Sequence, residues 1–222
     1  MVGVAIQDYV KAIYKLSQKK QKVTPSGLAE TLGVSAAAVT KMVRRLQDLK
    51  LVRYAKTQGL RLSPTGEKIA LEMIRHHRLL ELYLTEALGY GWDEVHDEAE
   101  KLEHVISEQF EEKIERLLGY PTHDPHGAPI PTREGHIERA ELTVLSQLET
   151  GAHGCVERVS DSDAQMLTYL GELGLYPGTP VEMIAREPYG GSLHVRISGQ
   201  DHAIGLALAD NVFVSVREGS DD

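Results

Sequence analysis

Between His96 and His104 the chain repeats chemically active side chains at a helical interval. His96, Glu100, Glu103 and His104 stand at i, i+4, i+7 and i+8, which on an α-helix is one stripe. Val95, Ala99, Leu102 and Ile106 form an apolar stripe beside it. The two imidazoles and two carboxylates therefore lie on the edge of a face that folding buries. Carboxylates in such a place need a counter-charge, and a divalent cation satisfies both residue types. His77 and Glu81 repeat the pairing at i, i+4 on an earlier helical segment.

The net charge of −9 is unevenly spread. Residues 1–72 carry thirteen Lys/Arg against five Asp/Glu, residues 73–131 five against thirteen, and residues 132–222 six against fifteen. A basic N-terminal third on an acidic chain points to a polyanion bound by that third alone. With one cysteine, Cys155, an intrachain disulfide is impossible, which fits a reducing compartment. No apolar run of 18 residues and no basic-then-apolar N-terminus is present, so the expectation is a cytoplasmic protein without a membrane partner.

Val4 to about Ser17 has helical apolar spacing at Ile6, Val10, Ile13 and Leu16. Thr24-Pro25 reads as a cap followed by proline at the first helical position, opening a short helix that stops at Gly33. Ser35 caps the next helix, Ala36 to about Leu49. Two short helices joined by a tight glycine turn are a helix-turn-helix. Two strands, 51–54 and 60–62, follow as a wing. Ser63-Pro64 opens a long helix to about Leu88, and Trp92-Asp93 opens another to about Leu118 that carries the stripe. Residues 121–131 read as a stiff, proline-rich linker. Beyond residue 141, a short helix at 164–173 precedes strands predicted at 181–185, 193–197, 202–208 and 212–216. The predicted class is mainly α with a small β domain. Its segments are a winged helix-turn-helix (1–72), a helical segment with linker that carries the His/carboxylate stripe (73–140) and a small β-barrel-like domain (141–222).

In a helix-turn-helix the second helix enters the major groove N-terminus first. That end offers Ser35, Ala36, Ala37, Thr40 and Lys41 to base edges, the alanines suiting thymine methyls. Arg44 and Arg45 suit phosphates, and Lys56, Thr57, Gln58 and Arg61 of the wing reach the adjacent backbone. Lys19, Lys20 and Lys22 read as a solvated loop.

The paired motifs, His77-Arg78-Leu79-Leu80-Glu81 and His96 to His104, together with the Asp8-Tyr9 start, the winged helix and Pro129-Ile130-Pro131, resemble the diphtheria toxin repressor and manganese transport regulator family. The likeness covers nearly the whole chain, the C-terminal part being similar to the SH3-like domain of the longer members. It implies a metal-activated, homodimeric repressor on a pseudo-palindromic double-stranded operator, with two metal sites per subunit. Matched by position, the primary site takes Asp8, Glu100, Glu103 and His104. The second takes His77, Glu81 and His96, completed by Asp124, His126 and Asp161. Iron-responsive members place cysteine at the position of Glu100 and methionine at that of Asp8. Oxygen in both places suits Mn²⁺, with Fe²⁺ and other divalent metals still able to bind. Short manganese regulators carry a ligating glutamate at the position of Lys11, so two separated sites are expected here rather than a close binuclear cluster.

The mechanism expected from this pattern joins Asp8 of the first helix to the acidic helical segment through the cation. Without metal, three crowded carboxylates repel and the first helix hangs loosely. Leu79, Leu80, Leu82, Tyr83, Leu84 and Leu88 are expected to form the dimer surface. Two other readings stand beside this one: a carboxylate/His metallohydrolase, against which the basic winged helix and the lack of a nucleophile argue, and a metal-independent winged-helix regulator.

Overall fold

The computed structural model describes residues 3–18, 22–138 and 140–217; Lys19 and Lys20 lie outside the described residues. The chain divides into two compact units. The first comprises Met1–His77, Lys101–Glu111 and Pro131–Ile137, the second Arg78–Glu100, Glu112–Ile130 and Glu138–Asp222.

The first unit contains helices α1 (Val4–Gln18), α2 (Pro25–Leu32) and α3 (Ala36–Asp48), then the antiparallel pair β1 (Val52–Ala55) and β2 (Gly59–Leu62). Both predicted caps are formed: Thr24 Oγ1 accepts from the Gly27 amide at 3.1 Å, and Ser35 Oγ from the Ala38 amide at 3.2 Å. Gly33 ends α2 in the left-handed region (φ 62°), where a side chain is disfavoured. Ile13, Leu28, Val39, Leu46 and Leu60 fill one core with Val10, Ala70 and Ile74. Helix α4 (Pro64–Leu88) starts at Ser63, whose hydroxyl accepts from the Gly66 amide at 3.1 Å.

The helix predicted from Trp92 to Leu118 is instead two helices, α5 (Val95–Leu102) and α6 (Glu108–Leu117). Two hydrogen bonds explain the break. The His76 ring donates from Nδ1 to the Glu103 carbonyl at 3.1 Å, taking an acceptor that a continuing helix needs, and Ser107 caps α6 through the Phe110 amide at 3.2 Å. His96 and Glu100 are thus helical, whereas Glu103 and His104 occupy the turn after α5. The single-stripe expectation is corrected accordingly.

The second unit includes a six-stranded antiparallel sheet of order β3-β8-β4-β5-β6-β7, formed by β3 (Thr143–Val144), β4 (His153–Val159), β5 (Pro180–Arg186), β6 (Leu193–Ile197), β7 (Gln200–Ile204) and β8 (Val212–Arg217). Helix α7 (Ala164–Glu172) packs into its core through Leu167 and Leu170. The strand expected at 202–208 stops at Ile204. Gly205 then starts the short helix α8 (Leu206–Ala209), which buries Ala209. β3 and β4 were missed because they are short or carry Gly154 and polar residues between their apolar positions.

Of the apolar residues expected at the dimer surface, Leu79, Leu80, Leu82 and Leu84 are buried within the chain itself. Leu88 (55%), Tyr90 (40%), Leu117 (67%) and Tyr120 (64%) are exposed large side chains of this unit's helical part. Helix α4 satisfies both faces more completely than a count of leucines suggests.

Arg75 and His76 on α4 both grip Glu111 of α6, Arg75 Nε at 2.5 Å and His76 Nε2 at 3.2 Å. Burial opposes ionisation of Glu111, but the bonds from His76 and Arg75 outweigh it and hold the carboxyl at about 2. A depressed folded value means stability present above the unfolded value near 4.5 and lost as pH falls toward 2. Glu111→Gln should therefore cost about 2 kcal/mol at neutral pH. Chemical denaturation across pH should show the gap between variant and parent closing below the carboxylate range.

Candidate metal centres and DNA-reading face

In the first unit, α1 delivers Asp8 to the turn after α5. His104 Nε2 lies 2.9 Å from Asp8 Oδ1 and 3.6 Å from Glu103 Oε1. The other ring nitrogen, Nδ1, donates to the Gln7 amide oxygen at 3.0 Å, which orients the ring with Nε2 toward both carboxylates. Ligand atoms of Asp8, Glu103 and His104 all fall within 4.8 Å of one another. Ligands sharing one ion at bond lengths of about 2.1 Å stand roughly 3–4 Å apart, so modest closure fits a divalent cation. Gln7 escaped the sequence reading, since an orienting amide has no periodic signature.

Glu103 is 1% exposed and its charge is already partly met. Lys11, one turn after Asp8 on α1 and 5% exposed, places Nζ 2.9 Å from Oε1 and 2.6 Å from Oε2. His77 Nδ1 lies 2.6 Å from the same Oε2. The structure thus brings His77, read from the motif as a second-site residue, to Glu103. The buried Lys11–Glu103 ion pair also holds α1 against the turn after α5.

In the second unit a buried trio forms from Glu81 of α4 and from Asp124 and His126, which lie in the segment expected to be a linker. That segment is a tight built loop. The Asp124 amide donates to the Ala128 carbonyl at 3.0 Å, and Asp124 Oδ1 accepts from the His126 and Ala128 amides, each at 2.9 Å. Gly127 turns the chain with φ 82°, its α-carbon so close to β4 that an added Cβ would meet the Glu157 carbonyl at 1.9 Å. Nε2–H of His126 donates to the Trp92 carbonyl at 2.7 Å, which leaves Nδ1 as a lone pair 3.9 Å from Glu81 Oε2 and without a hydrogen bond. Asp124 Oδ2 likewise has no hydrogen bond, Arg78 Nε standing 3.5 Å off. Burial, followed by the charge of Glu81, pushes Asp124 up to about 6. Buried lone pairs facing one another without protons between them are costly; a metal ion removes that cost. The trio's chemistry fits one.

His96 Nδ1 joins Glu81 Oε1 at 3.2 Å, and Asp161 brings an oxygen within 4.8 Å of the Glu81 and His96 ligand atoms. The Glu100 carboxylate lies 3.9 Å from His96 Nε2, one turn earlier on α5. The Trp92 ring packs on His126 (5.6 Å between centroids) and Tyr176 (4.6 Å), an orienting role carried by a backbone carbonyl and thus invisible in sequence.

Helix α3 turns a polar, cationic face to solvent. Ser35, Ala36, Ala37, Thr40, Lys41, Arg44 and Arg45 are all exposed, while Val39, Val43 and Leu46 point into the core; Lys56, Thr57, Gln58 and Arg61 of the wing are exposed as well.

A winged helix with an exposed cationic recognition helix, followed by carboxylate–imidazole clusters, is the build of a metal-dependent DNA-binding regulator. Family models match throughout: the iron-dependent repressor N-terminal DNA-binding domain over residues 1–60, the iron-dependent repressor metal-binding and dimerisation domain over 63–132, and the FeoA domain over 143–216. The iron-dependent repressor IdeR of Mycobacterium leprae (strain TN) is 32% identical over 186 residues, 78% of this chain and 80% of the relative. Among solved structures, a manganese-dependent transcriptional repressor in complex with manganese superposes with a TM-score of 0.90 at 37% identity, over 96% of this chain and 100% of that one. ScaR with bound Zn²⁺ gives a TM-score of 0.81 at 33% identity, over 95% and 98%. The chain belongs to the iron-dependent (diphtheria toxin) repressor family. It is a metal-dependent transcriptional repressor with DNA-binding and dimerisation domains, and not an enzyme. Among the described residues, no helix is long and apolar enough to cross a membrane.

Because the loop carrying Asp124 and His126 closes only around Gly127, Gly127→Ala should strain the backbone and displace the turn from β4. The expected cost exceeds about 1 kcal/mol. Thermal unfolding reads the loss, and the gain in melting temperature on adding Mn²⁺ should shrink with it.

Proposed function

We propose that the protein is a Mn²⁺-responsive repressor that binds a pseudo-palindromic operator as a homodimer and uses two metal sites per subunit. Its segments are the winged helix (1–72), the metal-binding and dimerisation segment (73–140) and the SH3-like domain (141–222). The observation that carries the metal reading is the donor set: carboxylates and imidazoles with no sulfur, including the buried, unbonded Asp124 Oδ2 and His126 Nδ1. Oxygen and nitrogen donors suit Mn²⁺ better than thiolate-seeking ions. The likeness to a manganese-dependent repressor supports the same choice.

The first site is Asp8, Glu103 and His104, to which the motif adds Glu100. The second is Glu81, His96, Asp124, His126 and Asp161, to which the motif adds His77. When bound, the ion supplies positive charge that neutralises converging lone pairs. Asp8 ties that neutralisation to α1, and α1 packs through Ile6, Val10 and Ile13 into the core that also seats α3. Metal at about 100 times its dissociation constant contributes roughly 2.7 kcal/mol to the state that binds it, enough to move a two-state equilibrium about a hundredfold. Ser35, Ala36, Ala37, Thr40 and Lys41 then read bases, and Arg44, Arg45, Lys56 and Arg61 hold phosphates.

The test is fluorescence anisotropy on duplexes from upstream of the chain's own gene and of metal-transporter genes, titrated with Mn²⁺ and, anaerobically, with Fe²⁺. Mn²⁺ should raise affinity at least tenfold, and Asp8→Ala should abolish the rise while leaving the dimer mass unchanged. Activation by Fe²⁺ alone would reassign the metal, and equal binding with no metal at all would favour the metal-independent regulator.

The recognition helix has its own check. Lys41→Ala should relax base preference at one operator position, whereas Arg44→Ala should weaken binding to every sequence and reduce the salt slope by about one. Unaltered preference in Lys41→Ala would displace the reading residues elsewhere on α3.

A further inference from the structure

We propose that Lys11 is a built-in competitor for the metal at Asp8, Glu103 and His104, and so sets the metal concentration at which that centre fills. The inference rests on the metal reading above and concerns a residue that binds no metal. Its basis is the division of one buried carboxylate. Oε1 of Glu103 faces His104 Nε2 at 3.6 Å, on the side shared with Asp8, whereas Oε2 faces Lys11 Nζ at 2.6 Å and His77 Nδ1 at 2.6 Å. Lys11 Nζ also reaches Oε1 at 2.9 Å and stands 3.3 Å from His77 Nδ1. The groups around the Glu103 carboxylate are nearly closed to water, with side-chain exposure of 6% for Lys11, 2% for His77 and 0% for Glu103, whereas Asp8 is 37% exposed.

Two consequences follow from charge alone. With Lys11 in place, the ligands Asp8 and Glu103 present one net negative charge to an incoming divalent ion rather than two. A unit charge a few ångströms from a bound ion is weakly screened when buried, so the ammonium must lower affinity. The same ammonium stabilises the metal-free state, because it spares Glu103 an unpaired buried charge. The centre is therefore assembled before metal arrives and filled only when metal is abundant. Spacing makes the device local, since Asp8 and Lys11 are i and i+3 on α1 and one helical turn carries both the ligand and its competitor.

Isothermal titration of the full-length protein with Mn²⁺ tests this on Lys11→Met, which keeps the stem's volume and removes the charge. The Mn²⁺ affinity of the Asp8-dependent sites should rise at least tenfold. The metal-free melting temperature should fall, and its increase on adding Mn²⁺ should become larger than in the parent. Unchanged or weaker Mn²⁺ binding would overturn the proposal and leave Lys11 as a structural ion pair. Lys11→Arg retains a cation and guards against misfolding of the first variant: affinity within about threefold of the parent is expected, and a tenfold rise would overturn the idea equally. Parallel titration of Asp8→Ala separates the two levels of inference. If Asp8→Ala binds Mn²⁺ as the parent does, the metal centre itself is misassigned, whatever Lys11 does.

Discussion

A buried carboxylate has to be neutralised, and Glu103 is where this chain meets that requirement. Its charge is taken out of water where the chain turns between α5 and α6, and three basic side chains close on it: Lys11, His77 and His104. Its backbone carbonyl is held as well, by His76, and that bond helps to end α5. One residue thus decides where a helix stops, docks α1 through Lys11, and leaves an oxygen beside His104 and Asp8 for a cation. Each role depends on the low exposure of the carboxylate, since in water the same pairs would contribute little.

The second unit solves a similar problem by a different route. Glu81 comes from a long helix, but Asp124 and His126 come from a loop whose shape is imposed by backbone hydrogen bonds and by Gly127 against β4. The loop spends one Asp124 oxygen on its own amides and one His126 nitrogen on the Trp92 carbonyl. What is left over, Oδ2 and Nδ1, is buried without hydrogen bonds. Elsewhere in a protein such atoms would be a defect; on the proposed reading they are metal donors. Trp92 links this loop to the sheet core by packing on Tyr176 and on the helix that carries Gly171.

Regulation by metal needs a bistable element rather than a loose one. The Lys11–Glu103 pair seats α1 beside the candidate first metal site. On the proposed reading, metal bound there would add positive charge beside the carboxylates of Asp8 and Glu103. A coupling of a few kcal/mol is the range that allosteric regulation uses.

Local chemistry was fully legible in the amino-acid order. Thr24-Pro25, Ser35 and Ser63-Pro64 set helix starts because a cap acts within four residues, and the apolar period of α3 determined which of its side chains stay exposed. The pairing of His and Glu at helical spacing announced metal chemistry, and the asymmetry of charge announced a polyanion. Only tertiary structure decided that the helix after Trp92 breaks at Glu103, because the breaking bond comes from His76, 27 residues away. It alone also decided that Lys11 and His77 share one carboxylate, that Leu79, Leu80, Leu82 and Leu84 are buried inside the chain, and that a proline-rich stretch is a tight loop burying Asp124 and His126. The physical reason is the same in each case: helix caps and periodicity are set by neighbours in sequence, whereas burial, counter-charges and unsatisfied lone pairs are set by partners that the chain brings together only on folding.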